Sequence, residues 1–207
     1  MNYIFDFFET LVSFDMSAYV ELMSKSFGKN AEDYFTDIRY FLDVRDFGSR
    51  EAALNALLNH LRLSFTEEQK REFFSKLDNI LSKTEILPHA IEVLNELRKK
   101  GSKIAILSDN NNFVDKVIIE KGFREYVDVI VLSHKVGLKK PQKEIFELCF
   151  KKIGSSPENT IMVGDNLISD IRGAQITRSN AVLFDSKNKH PDYQGRKIRD
   201  LREILNL

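Results

Sequence analysis

The sequence predicts an α/β fold: a doubly wound parallel sheet of five strands that carries an all-helical insert. Three features predict it. Five short apolar runs, Tyr3–Phe5, Lys103–Leu107, Val127–Leu132, Thr160–Val163 and Ala181–Phe184, are β-branched or aromatic-rich and lack clean alternation. That pattern suits strands covered on both faces. Helix-length segments separate the last four runs, which implies right-handed crossovers between parallel strands. The interval between the first two runs is too long for one crossover and is itself helical in pattern.

The first run is a strand that ends at Asp6. From about Phe14 to Lys83 the chain reads as helices, with Ala52–Leu61 and Glu67–Leu81 the clearest. Thr66 and Gln69 have the spacing of a capping box for the second of these. Within the insert, Asp43–Ser49 is the most irregular stretch; Gly48 permits a turn and Ser49 can begin the next helix. Pro88–Lys100 is an amphipathic helix with Ile91, Leu94 and Leu97 on one face, feeding the second strand. The helices expected among the later strands are Asn112–Lys121, Gln142–Lys152 and Ser169–Gln175, and Ile198–Leu205 is expected to close the fold as a helix. The expected division is a core of residues 1–13 and 84–207 with a helical cap over 14–83.

Composition narrows the function classes. Lys plus Arg and Asp plus Glu both number 31, so no global field points to nucleic acid or a membrane surface. Attraction for an anion must be local. The one cysteine, Cys149, lies on the apolar side of a helical run and reads as packing. Four scattered histidines add no zinc cluster, and neither His89 nor His134 is given a role. No apolar run approaches the ~18 residues of a bilayer span, and no secretory apolar region precedes Asp6. A cytoplasmic protein is expected.

The polar residues fall where open α/β sheets bind ligands, beyond the carboxyl ends of the strands. Strand one ends in Asp6, strand two in Ser108 and strand four in Gly164-Asp165, while Lys140-Pro141 opens the helix after strand three. Carboxylates gathered in one crevice repel unless a cation separates them. Lys140 and a Mg²⁺ ion, which favours hard oxygen ligands, suit those parts. Lys139 reads as a solvated surface neighbour.

These segments resemble the four motifs of the haloacid dehalogenase superfamily. Ile4–Leu11 is similar to its first motif, a strand followed by Asp-x-Asp-Gly-Thr. Ile104–Asn110 is similar to the second, Lys140-Pro141 with Glu144–Phe146 to the third, and Ile161–Asp165 continuing through Asp170–Ala174 to the fourth. All four occur in the family's order, with the helical insert where its cap is often placed. The resemblance implies a Rossmann-like core and a Mg²⁺-dependent hydrolase of small phosphate monoesters. In it Asp6 is the nucleophile that forms an aspartyl-phosphate. Mg²⁺ is held by Asp6, Asp165 and the backbone carbonyl of Phe8. Thr10, Ser108, Asp109 and Asn110 grip the phosphoryl group or substrate, Lys140 neutralises nucleophile and phosphate, and Asp170 orients Lys140 or a metal-bound water. The loop at Asp43–Ser49 is expected to face Asp6, with Arg45 touching the distal part of the substrate.

Two positions depart from the pattern. The second Asp of the first motif, which serves as general acid and then base, is Phe8, and the usual Gly after it is Glu9. Glu9 is a candidate replacement proton donor. The alternatives left open are a hydrolase of a carbon–halogen or carbon–phosphorus bond, and an impaired relative that binds a phosphorylated ligand or partner. Retention of Asp165 argues against the halide, because dehalogenases generally lack that metal aspartate.

Overall fold

The computed structural model describes residues 1–30 and 33–207. In chain order the elements are β1 (Asn2–Phe5), α1 (Met16–Phe27), α2 (Arg39–Asp43), α3 (Arg50–Leu61), α4 (Glu67–Ser82), α5 (Ala90–Lys99) and β2 (Ile104–Ser108). There follow α6 (Lys116–Glu120), β3 (Val129–Leu132), α7 (Ser133–Val136), α8 (Lys143–Ile153), β4 (Thr160–Gly164), α9 (Gly173–Ile176), β5 (Asn180–Phe184) and β6 (Lys197–Ile198). Wide π-type turns, Tyr34–Ile38 and Leu167–Arg172, lead into α2 and α9.

The strands form one parallel sheet in the order β3-β2-β1-β4-β5-β6. Tyr3 pairs with Ile104 on one side of β1 and with Ile161 on the other, so β1 lies between β2 and β4 and the order reverses beside it. Alternation along the strands splits the core in two. Tyr3, Phe5, Ile104, Ile106, Ile161 and Val163 face the layer that continues into the insert. Ile4, Ala105, Leu107, Val131 and Met162 face Ile145, Phe146, Cys149 and Phe150 of α8. Both faces of the central strands are covered, which is why their interiors are apolar. Fully buried side chains such as Phe5 and Ile4 are each worth roughly 1.5–3 kcal/mol.

The sheet has six strands rather than the expected five. β6 is only two residues long and joins through Leu183 N to Arg196 O (2.9 Å) and Asp185 N to Ile198 O (2.8 Å). A pair of residues carries no periodicity to read. For the same reason the expected closing helix over Ile198–Leu205 is corrected: Ile198 belongs to β6, and only Leu201–Asn206 turns, as a 3-10 helix capped by Asp200 and Glu203.

The insert is helical from α1 to α4. The Thr66–Gln69 capping box is present at the start of α4, and Ser49 caps α3 by accepting from Ala52 N. Phe27 of α1 lies against Phe65 and Phe73, both 5.7 Å between ring centroids, and Phe73 reaches Phe113 of the core at 5.5 Å. The chain leaves and re-enters the sheet layer through a paired ribbon. Val12 bridges Ile86 antiparallel, Ser13 N donates to Glu85 O (2.8 Å) and Leu87 N donates to Leu11 O (2.9 Å). Among the described residues no helix is long and apolar enough to cross a membrane.

Candidate active site

The β-sheet delivers its polar residues to one end, beside the reversal of strand order. Asp6 follows β1 directly, its N–H donating to Val163 O of β4 (2.9 Å). Lys140, reached through the loop after α7, extends its ammonium between two carboxylates. Nζ lies 2.7 Å from Asp6 Oδ1 and 2.6 Å from Asp170 Oδ1. The second oxygen of Asp170 accepts from Asn166 N (3.0 Å), so both of its oxygens are engaged. Asp165 completes the group: one oxygen from each of Asp6, Asp165 and Asp170 falls within 4.8 Å of the others.

The electrostatics follow from burial. Three carboxylates share one ammonium, and Lys140 and Asp170 are almost wholly inaccessible, at 3% and 0%. Burial, then repulsion from Asp6, pushes the Asp165 carboxyl up to about 7. Burial also pushes Asp170 to about 7, although Lys140 opposes the shift. Burial alone would lower the Lys140 ammonium, but Asp170, Asp6 and Asp109 outweigh it and hold the group above its ordinary range. The set therefore carries unbalanced negative charge on hard oxygens, which is the chemistry of a site for a small divalent cation.

Two glycines make this geometry possible. A Cβ on Gly164 would run into the Asp170 carboxylate, and one on Gly173 would run into the Phe146 ring. The turn that carries Asp170 can thus lie flat on β4 and on α8.

Around the carboxylates lie the other expected residues. Thr10 and Ser108 are buried, and Thr10 Oγ1 has no protein hydrogen-bond partner. Asp109 Oδ1 accepts from Lys140 N (2.9 Å), and desolvation raises the Asp109 carboxyl. Asn110 is clamped by Ser133, whose Oγ accepts from Asn110 N and donates to Asn110 O, both at 2.9 Å. Its side-chain oxygen accepts from Asn111 N (2.7 Å), and Nδ2 is buried without a protein partner.

The side chains at positions 8 and 9 have partners of their own, although Glu9 shares a small cavity with Asp165. The Phe8 ring packs 5.0 Å from Phe7 and 4.6 Å from Phe14, at the mouth of the insert. Glu9 adopts a left-handed φ of 59°, the backbone state that favours glycine. Its carboxylate accepts from Phe14 N (2.9 Å) and pairs with Lys187 Nζ (2.6 Å).

The loop Asp43–Ser49 contacts the core, but Arg45 is turned to its own helix. Its guanidinium donates to Phe41 O (3.2 Å) and lies 4.6 Å from the Phe41 ring centroid. The acidic residues of the loop make the contacts instead. Buried Asp43 accepts from Asn111 Nδ2 (3.1 Å) and pairs with Lys139 Nζ (3.0 Å). Asp46 accepts from Asn112 Nδ2 and pairs with Lys135, both at 3.0 Å. Lys139 is therefore not the solvated residue expected, because a carboxylate from the insert covers it. Sequence reading missed Asp43, Asp46 and Ser133; the run Asn110–Asn112 was the one local sign that this loop needs side-chain partners. Neither His89, paired with Asp200, nor His134, paired with Asp115, joins the site.

Comparison with known proteins agrees with this fold. A sequence-family model described as haloacid dehalogenase-like hydrolase matches residues 2–176. The chain is 32% identical over 179 residues to pyrimidine 5'-nucleotidase YjjG of Escherichia coli, covering 82% of this chain and 79% of that protein. It is 34% identical over 106 residues to ribulose-1,5-bisphosphate 5-phosphatase of Halopiger xanaduensis, covering 51% and 44%. With this and other curated phosphatases the match spans about half of the relative's length. In fold, the chain is similar to a HAD phosphatase from Thermococcus onnurineus (TM-score 0.69, 21% identity, 99% and 96% covered). It is also similar to a HAD family enzyme of Bacteroides thetaiotaomicron in complex with magnesium and inorganic phosphate (TM-score 0.70, 18% identity, 93% and 98% covered). A parallel sheet with its acidic residues at the strand ends, and a family match over most of the length, lead to one assignment: the chain belongs to the haloacid dehalogenase-like hydrolases.

Proposed function

We propose that the protein is a Mg²⁺-dependent phosphatase that transfers the phosphoryl group of a small phosphate monoester to Asp6 and then to water. The observation that carries this reading is the buried Lys140 ammonium between Asp6 and Asp170, with Asp165 alongside. Asp6 presents one oxygen to Lys140 and keeps the other for attack on phosphorus or for the metal. Lys140 holds Asp6 in place and neutralises incoming phosphate charge, while Asp170 fixes Lys140. Asp6, Asp165 and the Phe8 carbonyl are the residues to hold Mg²⁺, which supplies charge stabilisation for the phosphoryl oxygens.

Thr10 Oγ1 and Asn110 Nδ2 are unpaired donors in a buried setting, which costs roughly 1–3 kcal/mol each. Phosphoryl oxygens are the acceptors that relieve this cost, and fixed donors of this kind stabilise charge developing in the transition state. Ser108 and Asp109 belong to the same gripping loop. Residues 14–83 act as a cap over the core of 1–13 and 84–207, excluding water from the crevice. Asp43 and Asp46 fasten it there.

The test is phosphate release from a panel of phosphate monoesters with and without Mg²⁺, for wild type and Asp6→Asn. The expected result is release that needs Mg²⁺ and disappears in Asp6→Asn. Release that persists in the variant moves the chemistry away from Asp6.

A further inference from the structure

The groups able to carry a proton near Asp6 can be followed one by one, and most are committed. Asp170 has both oxygens engaged, by Lys140 and by Asn166 N. Lys140 is spanned by Asp6 and Asp170 and cannot give up its proton without leaving two buried carboxylates unpaired. Glu9 is held by Phe14 N and Lys187. Position 8, two residues beyond the nucleophile, is a phenylalanine packed into Phe7 and Phe14. The two acidic residues that the insert sends to this end, Asp43 and Asp46, are bound to Lys139 and Asn111 and to Lys135 and Asn112. Three histidines are paired away from the site, His60 with Asp37, His89 with Asp200 and His134 with Asp115, and the backbone N–H of His190 is bound to Asp185. Asp109 accepts from Lys140 N through one of its oxygens, and Asp165 is the carboxylate assigned with Asp6 to the metal. Among the described residues, then, the site can stabilise negative charge, while the position two residues beyond the nucleophile offers no acid to a leaving oxygen.

We infer that this site cleaves phosphoryl anhydrides, acyl phosphates foremost, whose leaving group departs as a stable anion. The inference rests on the phosphatase reading above and narrows its substrate class. A carboxylate oxygen of Asp6 bonds to phosphorus as the bond from phosphorus to the leaving oxygen breaks. The electron pair stays on that oxygen, and a carboxylate or phosphate leaves without needing a proton. Water then attacks phosphorus, and the bond between phosphorus and Asp6 breaks with its electron pair returning to the Asp6 carboxylate. The proton of that water passes to a phosphate oxygen or to solvent. With no base aimed at the water, this second step is the slow one and the phosphorylated protein accumulates.

The experiment is a leaving-group series at saturating Mg²⁺: acetyl phosphate, substituted phenyl phosphates from nitrophenyl to phenyl, and glycerol phosphate. It is paired with mass spectrometry of the peptide that carries Asp6 after acid quench. The expected result is that kcat/KM falls by roughly 10²–10⁴-fold from the best to the worst leaving group, the contribution of a missing general acid. A phosphoryl group is expected on Asp6 with acetyl phosphate. Where Phe8→Asp folds, by its circular dichroism and Tm, it is expected to flatten the series; the wild-type slope decides the matter on its own. Turnover with a flat wild-type series overturns the inference and leaves the phosphatase reading intact. If Asp109→Asn then steepens that flat series, Asp109 is the acid. No turnover and no phosphoryl group on Asp6 with any donor overturns the phosphatase reading itself.

Discussion

Replacing Lys140 with methionine removes a cation and keeps most of the apolar volume of the side chain. Lys140 is 2% accessible, Asp170 0% and Asp6 12% as side chains, so the two carboxylates left behind remain out of water. Removing one partner of a buried pair typically costs roughly 3–5 kcal/mol. For a chain of this size each kcal/mol moves Tm by about 2–4 °C, so the expected fall is roughly 6–20 °C. The loss should depend on pH in a definite direction. The Asp170 carboxyl is already raised from 3.8 to about 7 in the folded protein. An acid whose pKa is raised by folding contributes full stability at low pH and loses it as pH rises through the folded value. Without Lys140 the carboxyl is pushed higher still, so the variant loses stability over a wider range. The gap in Tm between wild type and Lys140→Met is therefore larger at pH 8 than at pH 5, where Asp170 is neutral in both and only the contact with Asp6 is lost. Thermal melts in EDTA from pH 5 to pH 8 measure it. A gap under about 1 kcal/mol that ignores pH is the behaviour of an exposed ion pair and would refute the buried-bridge account.

Two further outcomes follow from the same region. Because burial and Asp6 push the Asp165 carboxyl up to about 7, protons are expected to compete with Mg²⁺ below that pH. Its apparent affinity by calorimetry is expected to weaken about tenfold per pH unit below 7 and to level off above it; an affinity independent of pH from 5 to 8 removes Asp165 from the ligand set. Gly173→Ala drives a methyl group into the Phe146 ring. The expected cost is about 1–3 kcal/mol in urea unfolding, and a neutral substitution would mean that the turn and α8 are not in firm contact.

Much of this was readable in the sequence, and the reason is local. Buried parallel strands must be apolar on both faces, so β1, β2, β4 and β5 announce themselves as continuous runs, and a charged residue ending such a run stands out. Asp6 and Asp165 were visible for that reason. What escaped depends on partners distant in sequence. Lys139 looks like any surface lysine until Asp43, 96 residues earlier, is brought to it. The helix expected from Asn112 is regular only from Lys116; ahead of it Asn111 accepts from Phe113 N in the manner of a cap and turns its Nδ2 to Asp43, 68 residues earlier. Arg45 was chosen by charge alone, and the stacking partner four residues back, Phe41, decides its direction.

The ribbon at residues 11–13 and 85–87 has a consequence for how such a molecule can change. Ser13 and Glu85 are already hydrogen-bonded, so the chain passes into the helical body and out again through a single doorway. A helical body of another length or sequence can be spliced in there without altering the register of any strand. The same doorway limits motion. Two paired segments resist sliding past each other but allow rotation about their common line, and on the far side Asp43 and Asp46 grip the loops that follow β2 and β3. A swing about that line would release Asn111, Asn112, Lys135 and Lys139, and two of these, Asn111 and Lys139, directly adjoin Asn110 and Lys140 in the chain.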